Sequence, residues 1–179
     1  LTRFQADSFA FNNPIVSIAT GAVALAGKVS ADGLKDAWLK TPSLTLTSPR
    51  QLSRPFVASD VDLAGDVLPR GVRLQTFRLG HRGVTAQGDV EVALARRGSA
   101  MVNLDADIDG EIDVETLMAA WPRGFLPETR NAIANVVTEG VGETDHLVLR
   151  IPAGLMKGDP GAPDRIALDV DIRNATVQY

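Results

Sequence analysis

The chain has 179 residues, of which 45% are hydrophobic, 22% charged and only 5% aromatic, a composition that fits one globular domain or two small ones. Its net charge is −4 with both signs scattered, which argues against a nucleic-acid binder with a basic patch. It has no cysteine, which excludes disulfides, thiolate metal sites and cysteine nucleophiles, and no stretch approaches the roughly 20 apolar residues that span a bilayer.

The N-terminal part predicts two strands followed by a short helix. The second strand, 15–29, is apolar on both faces, so its orientation is ambiguous. Ser30 or Asp32 can cap the helix, and Thr41-Pro42 ends it. A short strand over 43–47 follows. The residues assigned to one face of the helix are Leu34, Ala37 and Trp38.

From residue 56 onward, apolar and polar residues alternate regularly, which is the pattern of strands with one dry and one wet face. The clearest strand is 84–94, which spans roughly 35 Å and exceeds the usual strand length. A hairpin turn over 96–99 leads to a return strand over 102–112. Shorter strands are predicted over 61–67 and 72–76, the latter with a bulge near 77–79.

A five-residue phrase returns four times: an apolar residue, a spacer, Gly, a charged residue, and Val or Ile. Its glycines are Gly27, Gly65, Gly88 and Gly110, which are 38, 23 and 22 residues apart. The shorter spacing equals one hairpin of two strands of about 10 residues, so it favours an antiparallel meander over a parallel solenoid. Within strands, such glycines predict bulges, bends or a close neighbour.

Residues 113–140 predict a two-helix insertion. Asp113 can cap the first helix, which Pro122 stops. Pro127 suits the first turn of the second helix, and Gly140 is its expected C-cap. Strands resume afterwards, at 147–151 and 166–172.

The predicted fold is therefore mainly β with short helices: a long antiparallel meander sheet, curved or trough-like, with a two-helix insertion. We interpret residues 1–179 as a single β-rich segment of a larger repeat protein.

The sharpest match to a chemical motif is Asp105-x-Asp107-x-Asp109-Gly110-x-Ile112, which copies the first half of an EF-hand calcium loop. The closing carboxylate is missing, because Thr116 holds the twelfth position. The three Asp also fall on the wet face of a predicted strand. A solvated acidic face is the favoured interpretation, and no metal is expected.

No enzyme is expected either. His81 and His146 are the only histidines, and neither belongs to a recognisable nucleophile motif. A hydrolase using Asp105 and Asp107 is the weakest hypothesis, because alternate residues of one strand lie side by side and cannot flank a sugar. No cofactor is implied. Trp38 and Trp121 are expected to anchor the short helices on the sheet, and the alternative is that they lie at the rim of an apolar groove.

The pattern resembles the AsmA-like superfamily (AsmA, TamB and YhdP types), large envelope proteins of Gram-negative bacteria, and is closest to the YhdP-type central region. The repeated phrase carries part of the resemblance, which covers residues 60–179 well and 1–59 loosely. The insertion carries the rest, through Trp121-Pro122, Leu126-Pro127, Arg130, Gly140 and the return to strand at 146–151.

This resemblance implies a periplasmic location, an inner-membrane tether supplied by other parts of a parent protein, and passage of phospholipid along an apolar β-groove toward the outer membrane. The implied partners are phospholipid acyl chains and adjacent repeats of the same parent chain, with no nucleic acid. The candidate lining residues of the groove are Val84, Val90, Val92, Leu94, Val102, Leu104, Ile108, Ile112, Ile166, Leu168, Val170 and Ile172.

The same alternation also predicts a purely structural module, a β-repeat or closed sandwich whose dry faces bury each other without a ligand. The two hypotheses differ in whether the apolar face is open, because such a face must be covered by a helix, a second sheet or acyl chains.

Overall fold

The computed structural model describes residues 2–12, 16–94, 100–123, 127–143, 145–151, 166–168 and 171–177. Strands make up 69% of the structure and helices 11%, which confirms the mainly β prediction. The strands are β1 (Thr2–Ala6), β2 (Phe9–Asn12), β3 (Ser17–Thr20), β4 (Val23–Ser30), β5 (Gly33–Thr47), β6 (Phe56–Leu68), β7 (Gly71–His81), β8 (Val84–Leu94), β9 (Ala100–Asp109), β10 (Ile112–Asp113), β11 (Val137–Glu143), β12 (His146–Ile151), β13 (Ile166–Leu168) and β14 (Asp171–Val177). The helices are α1 (Val114–Ala120) and α2 (Pro127–Val136).

One large sheet dominates the structure and is open rather than closed into a barrel. The strand order along its main path is β1-β4-β5-β6-β7-β8-β9-β12-β13. Strand β3 pairs with β5 on the same edge as β4, and β2 pairs with β3. All of its pairings are antiparallel, and β4 to β9 follow one another in sequence order, so the predicted meander is confirmed. A separate three-stranded sheet has the order β10-β11-β14.

The predicted helix over 30–41 is wrong, because most of this segment belongs to β5, a continuous strand of 15 residues. A bulge between Leu34 and Ala37, with Asp36 at φ +47°, inserts one residue and shifts the phase of the strand. Leu34 and Ala37, which share one face of the strand, are therefore three residues apart, and this spacing resembles that of a helix. Trp38 follows on the opposite face and is a strand residue rather than a helix anchor.

Pro42 lies inside β5 instead of ending an element. It has no N–H to donate to a neighbouring strand, and the predicted strand over 15–29 is divided beside it into β3 and β4. At the break, Gly21 N donates to Ser43 O at 3.2 Å. The break between β3 and β4 thus lies opposite the proline in β5.

The two helices of the insertion are confirmed, although their surroundings differ from the prediction. Asp113 caps α1 by accepting from Thr116 N at 2.6 Å, and Trp121 closes it by donating its backbone N–H to Leu117 O at 2.9 Å. The prediction that Gly140 caps the second helix is wrong, because β11 begins directly after α2 and includes it.

The predicted return strand over 102–112 is correct only as far as Asp109. Gly110 has φ +117°, a conformation that favours glycine, and turns the chain out of the large sheet. Ile112 consequently pairs with Gly142 in the three-stranded sheet. The bulge predicted near 77–79 occurs just earlier, between Leu74 and Phe77, and the predicted hairpin tip at 96–99 lies outside the described residues.

Candidate functional site

A row of apolar residues crosses the large sheet from edge to edge on one face. Each member is the direct partner of the next in the neighbouring strand, as Leu39 is of Leu63 and Gly88 is of Ala106. At about 4.8 Å per strand, the row spans roughly 38 Å. From β1 to β13 its members are Phe4, Leu25, Leu39, Leu63, Phe77, Gly88, Ala106, Leu147 and Leu168. We call the side of the sheet that bears this row the apolar face.

The neighbouring row, one residue along each strand, lies on the opposite side of the sheet, which we call the polar face. From β1 to β12 its members are Gln5, Ala24, Lys40, Asp62, Arg78, Gln87, Asp107 and His146. Along these two rows, one side of the sheet is apolar and the other mainly polar or charged. The alternation of the sequence predicted this for the strands from β6 to β9.

The apolar face is most buried at its centre and most exposed towards its margins. Phe77 and Ala106 are 8% and 2% exposed, whereas Phe4 and Val29 are 48% and 78% exposed. Among the described residues, no large side chain is less than 2% exposed. A sandwich core of interdigitating side chains would bury Val, Leu and Phe completely. The described part of the apolar face is therefore not sealed in the manner of such a core.

Most of the predicted lining residues lie on this apolar face. In β8 and β9, Val90 pairs with Leu104 and Val92 with Val102. The structure does not bring the whole predicted set together, because Ile112 and Ile172 belong to the three-stranded sheet. Val170 lies outside the described residues. The residues that share the apolar face by register are Val84, Val90, Val92, Leu94, Val102, Leu104, Ile108, Ile166 and Leu168.

Sequence reasoning missed the contribution of the N-terminal strands to this face. Phe9 and Phe11 of β2 are 45% and 46% exposed and pair with Thr20 and Ile18 of β3, which continue the apolar face beyond β5. The alternation of Phe9 and Phe11 was visible in the sequence. Its connection to the rest of the face was hidden by the mistaken helix over 30–41.

The glycines of the repeated phrase allow neighbouring backbones to approach closely, as predicted. A Cβ on Gly65 would lie 2.0 Å from the carbonyl oxygen of Arg73, and one on Gly88 would lie 2.0 Å from that of Asp105. Both glycines sit on the apolar face, in β6 and β8. Side chains at these positions would push the adjacent strand away, so glycine keeps the sheet continuous there.

Helix α1 is tethered to one end of the large sheet. Glu115 accepts from Arg82, in the turn between β7 and β8, at 2.9 Å and also from Arg54, in the loop before β6. These two guanidinium groups lower the pKa of Glu115, mainly through the hydrogen bond from Arg82. In the same region, Arg123 N donates to Gln51 O at 2.6 Å. The helical insertion is thus held at the β5–β6 and β7–β8 end of the sheet.

Ion pairs connect neighbouring strands across the polar face. Lys35 lies 3.2 Å from Asp66, whose pKa is lowered chiefly by the backbone N–H of Asp36 and then by Lys35. Arg73 lies 2.7 Å from Glu91, which raises the pKa of Arg73. These contacts tie strands together on the side away from the apolar row.

The acidic motif lies on this polar face, in an extended strand rather than a calcium loop. Asp105 and Asp107 contact the two ring nitrogens of His146 at 3.2 and 3.1 Å, while Asp109 lies at the end of β9. Within the described ranges, no cluster of three or more acidic or histidine side chains is arranged to hold a metal ion. A depression of about 520 Å³ nearby is lined by polar groups that include Arg78, Gln87 and Asp89.

Neither described helix is long and apolar enough to cross a bilayer. Comparison of the chain with family models, curated proteins and solved structures finds no match.

Proposed function

We propose that this chain is a segment of a periplasmic protein, tethered to the inner membrane through its parent chain, that shields or conducts phospholipid acyl chains along the apolar face toward the outer membrane. The observation that carries the proposal is the nine-residue apolar row, which crosses the sheet on a face whose margins are exposed. The location and the direction of transport come from the resemblance to the AsmA-like superfamily alone.

An apolar surface that is left uncovered in water is energetically unfavourable. Contiguous exposed apolar patches beyond a few hundred Å² are rare in soluble monomers and mark binding surfaces. Acyl chains suit this face because most of its described side chains are aliphatic or aromatic. Its half-buried members include Leu39, Leu63, Val90 and Leu104. Hydrocarbon chains gain about 0.8 kcal/mol for each methylene that leaves water, so a long chain is retained without specific contacts.

The alternative is a purely structural module whose apolar face is covered by protein. The exposure of Phe4, Phe9, Phe11, Val29 and Val67 favours the lipid-handling hypothesis, because these large side chains lie on the apolar face and are 44–78% exposed. Adjacent repeats of a parent chain would extend the face rather than remove it, if they pair edge to edge with β1 or β13.

A test uses the absence of native cysteine, which makes single-cysteine variants unambiguous. Val102→Cys on the apolar face and Asn103→Cys on the polar face are neighbours in β9 and are similarly half-buried. Each variant is labelled with an environment-sensitive fluorophore and titrated with phosphatidylglycerol vesicles. We expect a blue shift and an intensity increase at position 102 and little change at position 103.

Lipid extraction after gentle purification provides the second measurement. Phospholipid that co-purifies with the chain, detected by mass spectrometry, supports the proposal. A lipid-free protein would support the structural module instead, if the fluorescence of the label at position 102 also does not change when vesicles are added.

A further inference from the structure

His81 is a polar residue on the apolar face, and one of its two ring nitrogens has no hydrogen-bond partner in the described part of the chain. It is the last residue of β7 and pairs with Val84, which places it on the same side as the apolar row. The residue is 9% exposed, and its ring stacks on Phe56 with centroids 4.4 Å apart. Among the described residues, its Nε2 is the buried side-chain nitrogen or oxygen atom without a hydrogen-bond partner.

The hydrogen bond made by the other ring nitrogen determines whether Nε2 is a donor or an acceptor. Nδ1 lies 2.6 Å from the carbonyl oxygen of Val57, and a carbonyl oxygen can only accept a hydrogen bond. Nδ1 therefore carries the proton, and in the neutral ring Nε2 is left with a lone pair. A buried acceptor without a donor is unfavourable, and buried polar groups in native proteins nearly always have partners.

The described neighbours of the ring are apolar side chains. Phe56 covers one side of the ring, and Val84 and Ala58 are buried beside it on the apolar face. The position is also at the end of the sheet to which α1 is tethered. Arg82, the next residue, and Arg54, two residues before Phe56, both hold Glu115 of α1.

We propose that His81 Nε2 accepts a hydrogen bond from the headgroup of a lipid whose acyl chains lie on the apolar face. The inference rests on the proposed function and deepens it by naming the lipid class: headgroups that carry an N–H or O–H donor, such as ethanolamine or glycerol. Choline, a quaternary ammonium, has no such donor and is disfavoured.

The headgroup reaches Nε2 only when the chain that covers the atom moves aside. The nearby contacts that tether α1 lie near the surface, because the side chains of Arg54, Arg82 and Glu115 are 39–54% exposed. Exposed ion pairs exchange readily with water and are weakened by salt. The end of the sheet that carries His81 is therefore held to α1 by weak contacts.

The test is a competition among headgroups. The protein is incubated with vesicles of equimolar dioleoyl phosphatidylcholine, phosphatidylethanolamine and phosphatidylglycerol, separated from them, and its bound lipids are quantified by mass spectrometry. Phosphatidylethanolamine and phosphatidylcholine form the matched pair, because both are zwitterionic and differ in the methylation of the nitrogen. We expect the ethanolamine lipid to be enriched about fivefold over the choline lipid, the ratio that one net hydrogen bond produces.

Two variants assign this preference to the correct atom. His81→Asn can keep a donor near the position of Nδ1 for Val57 while removing the acceptor at Nε2, and His81→Phe keeps the stack on Phe56 while removing both nitrogens. Both should bind the same total amount of lipid as the unaltered chain and lose the enrichment, with unchanged circular dichroism. The phosphatidylglycerol arm shows whether a hydroxyl serves as well as an ammonium.

The outcomes of the experiment distinguish the role of His81 from the proposed lipid-handling function. Equal capture of all three lipids, or enrichment that survives in His81→Asn, would overturn the role of His81 and leave the acyl-chain face intact. Failure to capture any lipid would overturn both.

Discussion

Lys40 and Asp62 lie directly opposite each other in β5 and β6, with Nζ and Oδ2 2.6 Å apart on the polar face. The neighbouring residues Leu39 and Leu63 form a direct pair on the apolar face. A slip of one residue would exchange the two faces, placing Leu63 among the charges and Asp62 in the apolar row. Charge pairing on one side and aliphatic pairing on the other thus specify the same register.

The pair of Lys40 with Asp62 should make a small, measurable contribution to stability. In a double-mutant cycle with Lys40→Ala and Asp62→Ala, we expect a coupling of about 0.5 kcal/mol from urea unfolding, because both side chains are largely exposed. The coupling should shrink in 1 M salt. A cycle of Lys40→Ala with Asp66→Ala is the control, since Asp66 pairs with Lys35. Equal coupling in both cycles would show that the pairing is not specific.

Substitution of Gly88 should be far more costly than substitution of Gly21. A Cβ at Gly88 would meet backbone atoms of Asp105 and Ala106 at 2.0 and 2.7 Å, which only a shift of β9 can relieve. At Gly21 the nearest atom is the mobile hydroxyl of Ser43 at 3.0 Å. We expect Gly88→Ala to lower the free energy of unfolding by about 3 kcal/mol and Gly21→Ala by about 0.5 kcal/mol or less. Chemical denaturation checks both, and similar losses would contradict the close approach of β8 and β9.

Much of the fold could be predicted because local alternation and tertiary structure agree over 56–109. In β6 to β9, apolar and polar residues alternate apart from the register shifts near 59–62, 64–65 and 74–77, and each predicted strand exists. The prediction failed where a bulge shifted the alternation, as at Asp36, because a one-residue insertion converts a spacing of two into a spacing of three. It also failed at Gly110, where one glycine conformation sends the chain into another sheet. Periodicity in the sequence does not record which sheet a strand joins.

The candidate site was predictable in part for the same reason. Val90, Val92, Val102 and Leu104 were assigned from alternation within single strands, and the register places them on one face. The transverse row could not be predicted, since it depends on the register of every pair between β1 and β13. His81 carried no signal at all in the sequence. Its unusual state depends on the carbonyl of Val57, a partner that lies 24 residues away.

Charge on the apolar face should abolish lipid binding, whereas the same charge on the polar face should not. Val90 is half-buried in the centre of the apolar face, and Gln87 is exposed on the polar face of the same strand, between Arg78 and Asp107. We expect Val90→Asp to reduce the phospholipid that co-purifies with the chain by about tenfold, because acyl chains cannot hydrate a carboxylate. Gln87→Asp is the matched control and should bind normally. Equal binding by both variants would place the lipid elsewhere or exclude it.

The tether of α1 should respond to acid through Glu115. Because Arg82 and Arg54 lower its pKa in the folded state, the ionised carboxylate stabilises the docked helix. This stabilisation is fully present above the ordinary glutamate pKa of 4.5 and is lost as the pH falls through the lower pKa of the folded state. Glu115→Gln lacks the charge at every pH. The unaltered chain should therefore protect the amides of α1 from hydrogen exchange better than the variant does near pH 7, and the two should converge in acid.

Glu128→Gln provides the control, because Glu128 is an exposed residue in the first turn of α2 and none of the described ion pairs involves it. Its amide protection in α1 should match that of the unaltered chain over the whole pH range. High salt should reduce the difference caused by Glu115→Gln near pH 7, since both ion pairs are exposed to solvent. A difference that is unchanged by pH and salt would mean that Glu115 holds α1 by packing of its side chain and not by its charge.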